Sequence, residues 1–183
     1  IDSLGDDEEL YSWWQNDTWW WNENATEWGY HWADNKELHP PYTPVHRYAR
    51  NIIEGLNHWL TGWIDWNMVL DKRGGPNHVS NFCGAPVMID PATQDIYYTP
   101  IYDVMSHFSK YIKPGDEVLG TTTFTPSLDR DVLHAAAVQN VNGDITVTVL
   151  NTSKEAVDFD ILIGDQKTSV TIDANALQTI TIN

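Results

Sequence analysis

The hydrophobic pattern of this chain changes period once, near Asp116, and the two halves therefore call for different packing. Before the change, apolar residues recur at helical spacing in two stretches. Thr43-Pro44 reads as an N-cap followed by proline at the first helical position, where a missing N–H costs nothing. From Val45 through Tyr48, Ala49, Ile52, Ile53 and Leu56 to Trp59 and Leu60, one apolar stripe predicts a helix over 44–60, ended by Thr61-Gly62. Thr99-Pro100 repeats the start. Ile101, Val104, Met105, Phe108 and Ile112 predict a second helix over 100–112, stopped by Lys113-Pro114-Gly115.

Between these helices the apolar run 63–70 predicts a buried strand whose C-terminal end presents side chains to a site. About thirty residues of loop follow, with a small hairpin expected across 87–98. Helix, strand, long loop, helix is the rhythm of a parallel α/β structure with its long loops at the C-terminal strand ends. Beyond Asp116, the runs 132–138, 145–149, 157–163, 169–172 and 177–182 alternate with a period of two. Turn signals separate them at Asn142-Gly143-Asp144, Asn151-Thr152-Ser153 and Gly164-Asp165. That pattern predicts an antiparallel β-sandwich of about five strands.

The aromatic residues are as unevenly placed as the periods. All ten tryptophans lie between Trp13 and Trp66. Residues 11–32, where most of them crowd, fit neither period and read as a long aromatic loop, a composition that argues for function rather than disorder. Ten basic against 26 acidic side chains leave a net charge of −16, so no basic patch exists to attract nucleic acid or an anionic membrane. Cys83 stands alone, which excludes a disulfide framework within the chain, and no run of 18 apolar residues suggests a transmembrane helix. Asn-x-Ser/Thr sequons start at Asn16, Asn24 and Asn151, a number near chance in an Asn-rich chain. The chain opens on Ile1 without an initiator Met or a signal-like segment, and reads as processed or as part of a longer protein.

Phosphate loops, dinucleotide fingerprints, nucleophile elbows and zinc-protease motifs are all missing. The histidines lack metal-ligand spacing, and the acidic run 6–9 lacks the alternation of a calcium loop, so neither a metal nor an organic cofactor is expected. The mixture of indole, amide and carboxylate points to sugars instead. A pyranose has an apolar face that stacks on indole and hydroxyls that pair with Asn or Asp. Trp59 and Trp63 read as packing residues. Trp66, flanked by Asp65 and Asn67 at the strand end, reads as part of a site.

Gly62-Trp63-Ile64-Asp65-Trp66-Asn67, Gly74-Gly75-Pro76-Asn77, Asn81-Phe82, Ala85-Pro86-Val87 and His107-Phe108-Ser109-Lys110-Tyr111-Ile112 follow one another in this order. The set resembles the C-terminal part of glucosylceramidases, which belong to glycoside hydrolase family 30. The likeness covers essentially the whole chain and is strongest over 44–120. It implies a (β/α)8 TIM barrel carrying a β-sandwich and retaining hydrolysis of a β-glycoside. Under that resemblance the chain is the terminal segment of the barrel (residues 1–115) followed by an antiparallel, Ig-like β-sandwich (residues 116–183). The helices would be the seventh and eighth of the barrel, and the aromatic segment before Thr43 the mouth loop after strand seven.

Carried over by position, Trp66 matches the tryptophan that contacts the sugar ring. Asn81 matches an asparagine lining the pocket, with Phe82 beside it, and Asp65 and Asn67 flank Trp66 as further substrate-binding residues. His78 departs from the tryptophan frequent in relatives, which bears on the outer pocket. The resemblance puts both catalytic glutamates upstream of Ile1, so no residue of this chain is expected to be catalytic; Glu8 and Glu9 sit beyond the nucleophile's position. The expected partners are a β-glucoside or glucosylceramide-type substrate and the N-terminal part of a parent chain, in a secreted, periplasmic or lysosome-like compartment. A sibling acting on xylan or a β-glucan, or a non-catalytic carbohydrate-binding module, are the alternative readings. An incomplete barrel leaves strand edges and helix faces open, so residues 1–115 are expected to be stable only against a partner surface.

Overall fold

A computed structural model describes Gln15, Trp20, Trp21 and residues 43–76, 83–124 and 132–183. The chain divides into two compact units, Ile1–Tyr48 with Trp63–Met105, and Ala49–Gly62 with Ser106–Asn183. The division falls inside both helices.

Helix α1 (Pro44–Asn57) buries Val45, Ala49, Ile52 and Ile53, the stripe that the spacing predicts. It stops three residues short of the expected end. Trp59 N–H donates to Leu56 O at 3.1 Å and Leu60 N–H reaches back to Gly55 O at 2.8 Å, with Trp59 at φ 69°. This is a Schellman ending with tryptophan in the left-handed position that glycine normally fills. A Cβ at Gly55 would stand 2.7 Å from Leu60 Cδ2, so Leu60 packs directly over the glycine. Trp59, expected on the packed stripe, is consequently 83% exposed. The first residue also departs from expectation. Among the described residues Thr43 Oγ1 is buried without a hydrogen-bond partner, and the Thr43 carbonyl instead accepts from Arg47 N–H.

In the first unit, β1 (Val69–Asp71), β2 (Val87–Ile89) and β3 (Ile96–Tyr98) form a sheet in that order. The β1–β2 pair is parallel and β2–β3 is the antiparallel hairpin that the sequence predicts. Leu70 and Met88 are buried from one face, whereas Val69, Ile96 and Tyr98 on the other are exposed. Such two-faced apolarity is typical of strands that are covered on both sides. Residues 63–68 do not form the expected buried strand. Their only ladder contact among the described residues is Val87 N–H to Met68 O, and Ile64 and Met68 are open to solvent.

Helix α2 (Pro100–Ser109) buries Ile101, Val104 and Phe108. It ends before 112, where Lys113 Nζ donates to Ser109 O and Asp116 accepts from Lys113 N–H. Thr99 is not its cap: the hydroxyl donates to Ala85 O at 2.8 Å, pinning the helix start to the segment entering β2.

The second unit holds β4 (Glu117–Leu119), β5 (Leu133–Gln139), β6 (Ile145–Asn151), β7 (Val157–Ile163), β8 (Gln166–Ile172) and β9 (Ala176–Ile182). Sheet β4-β5-β6-β9 faces the β7-β8 pair, and all neighbours run antiparallel. Leu133, Val147, Val149 and Ile172 form the core between them, with Val157, Phe159 and Ile161 packed against it. The short β4 is the strand that the sequence pattern does not show. Strand β6 is buried on both faces, threonines included. Helix ends cover its second side: Asn57 Nδ2 donates to Ala135 O at 2.9 Å, Glu54 Oε1 lies 3.2 Å from His134 Nδ1, and Thr179 Oγ1 lies 2.9 Å from His107 Nδ1.

Candidate functional site

The residues leading into β1 carry three of the five side chains singled out by sequence. Trp66 is 70% exposed, Asn67 is half-buried, and the peptide between them is cis. Asp65 is exposed and bonds its own segment. One oxygen accepts the Trp66 N–H at 2.7 Å, the other accepts Trp63 Nε1–H at 3.3 Å. A single carboxylate thus ties the indole of Trp63 to the backbone that carries Trp66. Both oxygens of Asp65, read from sequence as a substrate-binding residue, accept hydrogen bonds within the segment. An exposed indole on a backbone tied in this way is suited to stacking on an apolar sugar face. Trp63 belongs to this arrangement as well, against its expectation as a packing residue, because its ring nitrogen has a partner only two residues away.

Asn81 and Phe82, the other two predicted residues, lie outside the described residues, as does His78. The ends of the loop that contains them are well defined. Asp71 Oδ1 accepts N–H from Arg73 at 2.9 Å and Gly75 at 3.0 Å, a turn built by a carboxylate on its own chain. Gly74 takes φ 82°, and a Cβ there would fall 2.4 Å from Cys83 O, so only glycine fits. Cys83 N–H closes the contact on Gly74 O at 3.0 Å. Burial pushes the Cys83 thiol above its ordinary range. Sequence reasoning passed over Asp71, although Asp followed by x-x-Gly-Gly-Pro carries a recognisable turn signal.

The same turn is tied to the hairpin. Lys72 Nζ lies 3.1 Å from Asp90 Oδ2. The Ala92 N–H, which donates to Asp90 at 2.9 Å, holds that carboxyl below its ordinary range against some burial, and Lys72 adds to the effect. The Tyr98 and Tyr102 rings meet at 4.7 Å between centroids, tilted by 58°, on the open side of β3. In the aromatic segment, Trp20 is buried and Trp21 meets His46 edge-on at 5.8 Å; apart from the exposed Gln15, the rest of that predicted mouth loop lies outside the described residues. Among the described residues no group of three or more His, Cys, Asp or Glu is placed to hold a metal ion, and no helix is long and apolar enough to cross a membrane.

Comparison with known proteins accounts for both parts. The profile of the glycosyl hydrolase family 30 TIM-barrel domain matches residues 15–112, and that of the family's beta sandwich domain matches residues 118–180. A Caenorhabditis elegans protein named "Putative glucosylceramidase 4" is 35% identical over 157 residues, covering 83% of this chain and 29% of its own length. The Mus musculus lysosomal acid glucosylceramidase is 36% identical over 115 residues, 63% of this chain and 22% of the mouse protein. Among solved structures, SrfJ from Salmonella typhimurium superposes with a TM-score of 0.67 at 26% identity, over 81% of this chain and 31% of SrfJ. The chain therefore spans under a third of the length of these relatives. With a TIM-barrel segment followed by a β-sandwich, each matched by its own profile, the chain belongs to glycosyl hydrolase family 30.

Proposed function

We propose that the chain is the C-terminal part of a retaining β-glycosidase of the glucosylceramidase type. In this reading residues 1–115 complete a barrel, residues 116–183 form its sandwich, and the two catalytic glutamates lie upstream in a longer polypeptide. Retaining hydrolysis needs two carboxyl groups roughly 5–5.5 Å apart, one acting as nucleophile and the other as acid and then base. This chain would contribute recognition instead. Trp66 stacks on or borders the sugar in the −1 position, and Asn81 hydrogen-bonds its hydroxyls, with Asn67 and Phe82 beside them. Asp65 holds the segment from behind. The substrate is a β-glucoside, and the glucosylceramidase names of the relatives support a glucosylceramide-type aglycone.

The observation that carries this reading is Trp66 itself, its side chain open to solvent while its backbone N–H is held by Asp65. An exposed tryptophan fixed at its base is costly to keep unless something stacks on it. The test is turnover of aryl β-glucoside against aryl β-xyloside by the intact parent enzyme. Preference for glucoside, with Trp66→Ala lowering kcat/KM about tenfold or more, is the expected result. Preference for xyloside would overturn the glucosylceramidase type. A reading frame that begins near Ile1 and encodes no upstream glutamates would overturn the hydrolase.

A further inference from the structure

Residues 63–67 carry two indoles on a stretch of chain that has no ladder of its own. Among the described residues no backbone-to-backbone hydrogen bond reaches 63–67, and Ile64, between the two tryptophans, is 99% exposed. What holds the stretch is the Asp65 carboxylate. Its Oδ1 accepts the Trp66 backbone N–H at 2.7 Å, and its Oδ2 accepts Trp63 Nε1–H at 3.3 Å. An indole has one polar atom, a donor, and in Trp63 that donor is directed at the residue next to Trp66. Only a carboxylate offers an acceptor on each branch. An amide has one oxygen, and its nitrogen cannot accept.

We propose that Trp63 and Asp65 are positioning residues for sugar binding: the carboxylate, anchored on the Trp63 indole, holds the Trp66 backbone and so fixes the ring that stacks, and neither residue touches sugar. The proposal rests on the β-glycosidase reading above and names what sets the affinity of its Trp66. A ring that stacks on the apolar face of a sugar serves the ground state and the transition state alike. Misplacing it therefore raises KM and spares kcat.

The experiment uses the intact parent enzyme with aryl β-glucoside. Asp65→Ala is expected to raise KM about fivefold, with kcat within about twofold of the unaltered enzyme. The same substitution made in a Trp66→Ala enzyme should move KM by less than about twofold, because the ring it positions is gone. Trp63→Phe and Asp65→Asn each break the indole bond while leaving an acceptor for the Trp66 N–H. Each should raise KM about two- to threefold, and the double variant no further than either alone. Both are close in shape to the original residues, so they decide the matter even if Asp65→Ala does not fold. Unchanged KM in Asp65→Ala, an equal loss with and without Trp66, or additive losses in the double variant would each overturn the proposal. A fall in kcat alone would overturn it too. If the unaltered parent turns over no β-glucoside, the β-glycosidase reading fails and the sugar role of Trp63 and Asp65 fails with it. Hydrogen exchange of the Trp66 amide, slow in the unaltered enzyme and fast in Asp65→Ala, still decides whether Asp65 holds that backbone.

Discussion

Asn151 begins a glycosylation sequon, yet its side chain is 0% exposed and belongs to the interior of the sandwich. Its Nδ2 donates to Glu155 O at 2.8 Å and Asp173 O at 2.9 Å, while Oδ1 accepts from Ser153 N–H at 2.9 Å and Ser153 Oγ at 2.8 Å. One amide therefore stitches the β6–β7 turn to the residues that enter β9. In Asn151→Ala, Glu155 O retains a donor in Ser153 Oγ, but Asp173 O and Ser153 N–H lose the partners described here. The single Ser153 hydroxyl proton can serve Glu155 O in the variant, so three net hydrogen bonds at about 1 kcal/mol each, two of them leaving orphaned groups, put the loss at roughly 3–4 kcal/mol. That corresponds to about a hundred- to thousandfold faster exchange of the amides that open with this end of the sandwich. Peptide-resolved hydrogen exchange over residues 145–176 in the intact protein measures it directly. Asn151→Asp is the sharper variant, because a carboxylate would aim oxygen at two carbonyls; near neutral pH it should be at least as damaging as alanine. A loss below about 1 kcal/mol in Asn151→Ala, a benign Asn151→Asp, or a glycan found on Asn151 would each refute the reasoning.

Trp59→Gly should stabilise by about 1 kcal/mol, read as a higher Tm, because glycine takes φ 69° freely and the lost indole is 83% exposed. Gly74→Ala should strip protection from the Cys83 amide in hydrogen exchange, whereas Gly62→Ala, with nothing within 4 Å of its Cβ, should leave exchange unchanged. Asp116 supplies a pH dependence. Burial pushes its carboxyl up, but the Lys113 N–H, the Asn140 amide and the Val141 N–H outweigh burial and hold it below the ordinary range. The stabilisation is complete above the ordinary aspartate pKa of about 3.9 and is lost as pH falls through the depressed folded value. Tm measured against pH should therefore show Asp116→Asn weaker than the unaltered protein near pH 6, with the gap closing below about pH 4.

The parts of the fold that sequence pattern anticipates are those whose signal is local and repeated. Val45, Ala49, Ile52 and Ile53 mark the face of α1 because a helix must bury one stripe, and the alternation in β7 marks its inner face for the same reason. Endings were less legible. Both threonines before the helix prolines look like caps, but Thr43 Oγ1 has no partner among the described residues and Thr99 turns to Ala85. A hydroxyl two bonds from the backbone goes where the nearest carbonyl lies, and that carbonyl is set by another element. In the candidate site, Trp66 with its flanking Asp65 and Asn67 stands out as a cluster of sugar-binding residue types. The bonds of Asp65 to Trp63 and Trp66, and the turn that Asp71 builds, depend on N–H directions that residue identity does not encode.

The tryptophan crowding, the change of period at Asp116 and the order of the short motifs are properties of the chain itself, and they suffice for the family and its two-part architecture. Periodicity works because burial of one face is a demand on consecutive residues. The tertiary structure decides what depends on residues far apart: the Gly74–Cys83 contact, the covering of β6 by the β7-β8 core on one face and by helix ends on the other, and the burial of a sequon asparagine. Each of these is a hydrogen-bonding or steric demand that one segment meets for another, and no window of neighbouring residues contains both sides of it.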